Sequence, residues 1–126
     1  MIHVLVIDDD LLICQIMETI LSTSGYAVTV ATNARAGIEA ARKHCFAAAI
    51  VDLCMPNVSG FDAIRALREH APEMGLIAMS GLMFQEVDIG APDFLGLGAD
   101  LDGIPRLAKP FRRSELLGLI ERCCAA

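Results

Sequence analysis

The chain has 126 residues, of which 55% are hydrophobic and 21% charged, and its 16 acidic and 10 basic side chains give a net charge of −6. This length falls below the roughly 150 residues that serve as a prior for one domain, so a single domain over 1–126 is expected, with enough chain to bury about two-thirds of its unfolded surface. Such a composition excludes disorder, and the acidic balance argues against direct nucleic-acid binding or attachment to an anionic membrane.

The elements follow in alternation. Ile2 to Ile7 is a short β-branched apolar run, as expected for a strand covered on both faces. From Leu11 the period becomes helical. Leu12, Ile16 and Ile20 recur at i, i+4 and i+8, with Ile13, Met17 and Leu21 as the adjoining ridge and Gly25 as the stop. Tyr26 to Ala31 reads as a second strand, and Asn33 to His44 as a helix capped by Asn33 with Ala34, Ile38 and Ala41 inward. Ala47 to Val51 is a third strand ending at Asp52, followed by a helix with Phe61, Ile64 and Leu67 inward and a fourth strand from Gly75 to Met79. Residues 81–103 hold five of the ten glycines and Pro92, which predicts a short or broken helix and a loop. A weak fifth strand, Ile104 to Ala108, precedes Lys109-Pro110 and a last helix from about Arg112, with Leu116, Leu117, Leu119 and Ile120 apolar.

Strand-helix alternation with short connections predicts an α/β fold in which helices sandwich a parallel sheet. The longest stretch without Asp, Glu, Lys or Arg, Thr19 to Ala34, contains four threonines and two serines, so no bilayer-spanning segment is expected. Cysteines at 14, 45, 54, 123 and 124 form no C-x-x-C pair and are odd in number, which suits reduced thiols in a cytoplasmic protein. No signal segment is expected before the first strand.

The polar residues fall at the carboxyl ends of strands: Asp8, Asp9 and Asp10 after the first, Asp52 after the third, Ser80 after the fourth and Lys109 after the fifth. In the doubly wound order 2-1-3-4-5, strands 1 and 3 meet at the topological switch point, where open parallel sheets bind ligands. Clustered carboxylates repel unless a cation neutralises them, and oxygen ligands with waters are what Mg²⁺ prefers. Lys109 could then hold the far side of a phosphate and Ser80 donate a hydrogen bond to it, a set suited to phosphoryl transfer onto a carboxylate. Asp10 fits a helix N-cap better than a ligand.

Taken in order, Val6-Ile7-Asp8-Asp9-Asp10, Val51-Asp52-Leu53-Cys54-Met55-Pro56, Gly60 and Asp62, Met79-Ser80-Gly81, Gly98-Ala99-Asp100 and Lys109-Pro110-Phe111 resemble the receiver (phosphoacceptor) domain of two-component response regulators, over essentially the whole chain. The resemblance implies a flavodoxin-like (βα)₅ three-layer sandwich with sheet order 2-1-3-4-5. It implies Asp52 as the aspartate phosphorylated from the phosphohistidine of a sensor histidine kinase or phosphotransfer protein. Mg²⁺ would be held by Asp8, Asp9, Asp52 and the backbone carbonyl of Cys54, with Ser80 as the hydroxyl that turns toward the phosphoryl group and Lys109 as its counter-charge. The implied output is binding of a downstream protein, or a phosphorylation-dependent homodimer, through the surface of the family's fourth helix and fifth strand. Enzymatic activity would be limited to self-phosphorylation from phosphodonors and autophosphatase chemistry. No output domain is expected after the last helix unless the chain is a fragment.

Two features depart from the family pattern. Arg106 stands three residues before Lys109, where an aromatic ring is usual, and is expected to stay at the surface, since a desolvated guanidinium is costly. Gly98-Ala99-Asp100 lies further from the lysine than usual, so residues 81–106 are expected to be remodelled and to respond to phosphorylation. Cys54 and Leu82, at the positions that border the path of attacking water, orient water poorly, and slow self-dephosphorylation is expected. Among competing readings, a haloacid-dehalogenase-like Mg²⁺ phosphatase would use Asp8 as nucleophile and Asp10 as acid, but leaves Asp52 without a role. A flavodoxin would need a Ser/Thr/Gly phosphate loop where three aspartates stand. A non-phosphorylated pseudo-receiver is the remaining binding-module alternative.

Overall fold

The computed structural model describes residues 1–55, 60–80 and 103–124. In chain order they form β1 (His3–Ile7), α1 (Leu11–Thr23), β2 (Ala27–Ala31), α2 (Ala34–Lys43), β3 (Ala48–Asp52), α3 (Gly60–His70), β4 (Gly75–Ser80), β5 (Arg106–Ala108) and α4 (Arg113–Cys124). All strand pairings are parallel and the sheet order is β2-β1-β3-β4-β5, as the sequence implied. In register, Ile7 lies beside Val51 and Asp52 beside Met79, so the ends of β1, β3 and β4 form one rim.

Period-two alternation divides the strands between two apolar layers. Leu5 and Ile7 of β1, Ala49 and Val51 of β3, and Leu76 and Ala78 of β4 pack with Ala34 and Ala41 of α2 and Phe61, Ala63, Ile64 and Leu67 of α3. Val4, Val6, Ala48, Ile50, Ile77 and Met79 pack on the other face with Cys14, Met17 and Leu21 of α1 and Leu116 and Ile120 of α4. A fully buried Leu or Ile contributes about 1.5–3 kcal/mol, so the inner strands anchor the rim residues that follow them.

Helix α1 differs from its periodicity reading. Leu12 is 63% exposed and Ile16 41% exposed, and the buried ridge is Cys14, Met17 and Leu21, with Ile13 and Ile20 partly buried. The cap sets this rotation: Asp10 accepts from the N–H groups of Leu12 and Ile13, and the Cys14 thiol is drawn under the sheet end to donate to the Asp8 carbonyl at 3.2 Å. Gly25, with φ +96°, follows the helix in a conformation open to glycine.

Asn33 caps α2 through the Ala36 N–H, as expected. Ile38 is only partly buried, whereas Gly37 is buried, and a Cβ there would lie 2.3 Å from Ile7 Cδ1, so α2 packs closely on β1. The fifth strand is shorter than its apolar run, beginning at Arg106 rather than Ile104. Ile104 is buried in the α2/α3 layer without joining the ladder. The helix and loop expected within residues 81–102, Leu82 included, lie outside the described residues. No helix among the described residues is long and apolar enough to cross a membrane.

Candidate functional site

Three chain reversals build the site. β1 ends at Ile7, and the Asp8 N–H still donates to the Ala31 carbonyl of β2, which fixes Asp8 as a continuation of the sheet. Its side chain turns back so that Oδ1 accepts the Asp10 N–H at 2.9 Å. β3 ends at Asp52, whose Oδ1 accepts the Cys54 N–H at 3.1 Å, while the Leu53 N–H donates to Met79 O at 2.9 Å. On the far side, the Lys109 N–H donates to Ser80 O at 3.0 Å, tying the end of β5 to the end of β4. The Lys109-Pro110 peptide is cis.

These constraints bring together most of the residues singled out in the sequence. One carboxylate oxygen from each of Asp8, Asp9 and Asp52 lies within 4.8 Å of the other two. Lys109 Nζ lies 2.8 Å from Asp8 Oδ2 and 3.5 Å from Asp52 Oδ2, bridging the two buried acids. Ser80 is fully buried at the rim, with Oγ 3.5 Å from the exposed Cys54 Sγ. Asp10 stays outside the acid trio, its Oδ1 engaged by the first turn of α1. Arg106 is exposed, as expected.

Burial raises the Asp52 carboxyl above the ordinary carboxylate range; the Cys54 N–H opposes this, the negative Asp8 adds to it, and Lys109 works against it. For Lys109, burial disfavours the charge, but the Asp8 and Asp52 carboxylates outweigh it and hold the ammonium above its usual value. Asp8 Oδ2 is buried against the Lys109 ammonium, which lies 2.8 Å away. Three carboxylates with oxygens within 4.8 Å of one another, two of them on buried residues, suit a hard divalent cation with oxygen ligands, and the donor set therefore fits Mg²⁺.

Two contributors carried little sequence signal. Cys14 holds the Asp8 main chain through its thiol, and only its seven-residue spacing from Leu21 hinted at an inward position. Gly60 was legible as a landmark, but not for its contact: a Cβ there would meet the main chain of Asp52 and Leu53.

A parallel sheet of order 2-1-3-4-5 defines a flavodoxin-like fold, with the acid cluster at the β1/β3 switch point. A family model described as the response regulator receiver domain matches residues 4–121, and the chain belongs to that family. It is 29% identical over 118 residues to the cell cycle response regulator CtrA of Brucella ovis, covering 94% of this chain and 48% of that protein. Among solved structures, the chemotaxis protein CheY4 of Vibrio cholerae is 26% identical with a TM-score of 0.82, covering 98% of both chains. The receiver domain of the sensor histidine kinase PA1611 from Pseudomonas aeruginosa, 24% identical, shares the fold with a TM-score of 0.81 over 98% of both chains, and that protein has a magnesium ion coordinated in its active-site cleft. The chain spans about half the length of the curated relatives it matches.

Proposed function

We propose that residues 1–126 form one receiver domain that accepts a phosphoryl group on Asp52 in a Mg²⁺-dependent phosphorelay. The observation that carries this reading is the Lys109 bridge between the buried acids Asp8 and Asp52, with Nζ 2.8 Å from one and 3.5 Å from the other. A partly buried cation between two buried acids adds little net stability beyond what apolar packing would give, so its presence at a switch point favours chemistry.

In the proposed reaction an Asp52 carboxylate oxygen attacks the phosphorus of a phosphohistidine. The new O–P bond forms as the N–P bond breaks, and the electron pair leaves with the imidazole. Lys109 offsets the charge carried by the phosphoryl oxygens and Asp52, and the Ser80 hydroxyl donates a hydrogen bond to one of those oxygens. Asp8, Asp9, Asp52 and the Cys54 carbonyl would hold Mg²⁺, which when bound neutralises negative charge on the transferring group. The phosphodonor is a sensor histidine kinase or phosphotransfer protein. Leu11 and Leu12, each more than 60% exposed, and Ile16 supply an apolar face beside the acids on which such a partner could seat. The output partner is a protein or a second phosphorylated copy, and the setting is cytoplasmic.

Incubation with acetyl phosphate and Mg²⁺ tests this reading. One acid-stable, base-labile phosphoryl group is expected, mapping to the Asp52 peptide after borohydride reduction, and Asp52→Asn should abolish it. Label on Asp8 would instead decide for the phosphatase reading, and no label at all for a pseudo-receiver.

A further inference from the structure

We propose that Gly60, the first residue of α3, is a positioning residue for the chemistry at Asp52, a proposal that rests on the phosphoacceptor reading above. A Cβ built on Gly60 would lie 2.2 Å from Asp52 O, 2.5 Å from Leu53 Cα and 2.8 Å from Asp52 C. All three are main-chain atoms of the peptide that carries the acceptor carboxylate. At Gly37 and Gly75 the nearest atoms are instead side-chain atoms, of Ile7 and Cys123, and at Gly118 nothing lies within 4 Å.

The Asp52–Leu53 peptide is confined on two sides. On one side the Leu53 N–H is held by Met79 O at 2.9 Å, the link that extends the β3/β4 ladder. On the other, the bare Cα of Gly60 closes against the carbonyl. The next N–H, that of Cys54, holds Asp52 Oδ1 at 3.1 Å, so a shift of this peptide moves both the root of the carboxylate and the donor that orients it. Asp52 Oδ2 would then lose its register with Lys109 Nζ. Displacements near an ångström at a reacting centre can cost about a hundredfold in rate, whereas the layer that buries Phe61, Ile64 and Leu67 can keep α3 folded. Gly60 thus acts through Asp52 without touching substrate.

The experiment compares three alanine substitutions in the full chain. Gly60→Ala should lower the phosphorylation rate per folded molecule at saturating acetyl phosphate and Mg²⁺ by at least about tenfold, weaken Mg²⁺ binding, and change the apparent KM for acetyl phosphate by less. Gly75→Ala, crowded against Cys123 at the opposite end of the sheet, should lower the melting temperature yet be labelled at the wild-type rate. Gly118→Ala should be labelled normally and melt higher. Should Gly60→Ala fold poorly, it is combined with Gly118→Ala. A folded Gly60→Ala protein labelled at the wild-type rate overturns the proposal. So does a protein that stays unfolded in the Gly118→Ala background, which would make Gly60 a requirement of the fold alone. A wild-type chain that takes no label, or takes it elsewhere than Asp52, removes the phosphoacceptor reading and this proposal with it, a result distinct from either outcome at Gly60.

Discussion

The two ends of the sheet are built on different terms. At the carboxyl ends of the strands stand Asp8, Asp52 and Ser80, the buried polar residues among those described, with the two acids sharing one cation. At the amino ends the polar contacts are ordinary and satisfied. His3 Nε2 and Thr29 Oγ1 share a hydrogen bond at 2.7 Å, and the His3 ring meets the edge of Phe46 at 4.6 Å. Both ends share the same apolar strands, so stability is generated in the middle and used up at one rim. Substitutions should therefore have opposite signs according to whether they touch the layers or the acids.

The largest effect is expected in the layers. Ile64→Ala removes a fully buried side chain and should cost about 2–5 kcal/mol in urea denaturation; a loss below 1 kcal/mol would mean the α2/α3 layer is not the anchor of the rim. Next comes Lys109→Ala, which leaves Asp8 and Asp52 without their shared cation. Breaking a fully buried pair costs 3–5 kcal/mol; with Lys109 about a fifth exposed, a loss of about 2 kcal/mol is expected in Mg²⁺-free buffer. Millimolar Mg²⁺ should restore much of it. A variant that Mg²⁺ does not stabilise would argue against a cation site between these acids.

Asp52→Asn should act in the opposite direction. The folded protein holds the Asp52 proton more tightly than the unfolded chain, because burial raises this carboxyl. Stability attached to that proton is complete below the ordinary carboxylate range and is lost as pH rises through the raised folded value. Without Mg²⁺, the asparagine variant should therefore match wild type in acid and exceed it at neutral pH, as read from paired melting curves. Equal curves at every pH would show that Asp52 ionises without penalty. The smallest effect is expected for Asp10→Ala, which removes two capping acceptor contacts and should cost about 1 kcal/mol. Its Mg²⁺ affinity should stay within about twofold of wild type, since Asp10 is outside the acid trio; a tenfold loss would bring Asp10 into the site.

Much of this contrast was legible in the sequence because both signals are local. Runs such as Val4 to Ile7 and Ala48 to Val51 mark strands buried on both faces, and acids just after them mark the rim. The orientation of α1 was not legible. Leu12 and Ile16 make as good an i, i+4 row as Cys14, Met17 and Leu21 make an i, i+3, i+7 row, and only the cap at Asp10 decides which faces the sheet. The end of β5 was blurred for a similar reason: Ile104 is as apolar as a strand residue, but it fills the α2/α3 layer rather than the ladder. Gly60 was legible only as a landmark because one sequence carries no record of which main chain lies opposite.

Cys14 gives the folded chain an internal chemical clock. Its thiol is buried, and burial together with Asp8 and Asp10 pushes its pKa up to about 11, whereas Cys45 and Cys54 are exposed. Thiolate is the reactive form, so at neutral pH a disulfide reagent such as Ellman's should consume the exposed thiols promptly and reach Cys14 only when the β1 end separates from α1. With the half-buried Cys123 and Cys124 replaced by alanine, the slow phase of that reaction would then count opening events at the acid rim, and a cation bound there should slow it in proportion to its occupancy.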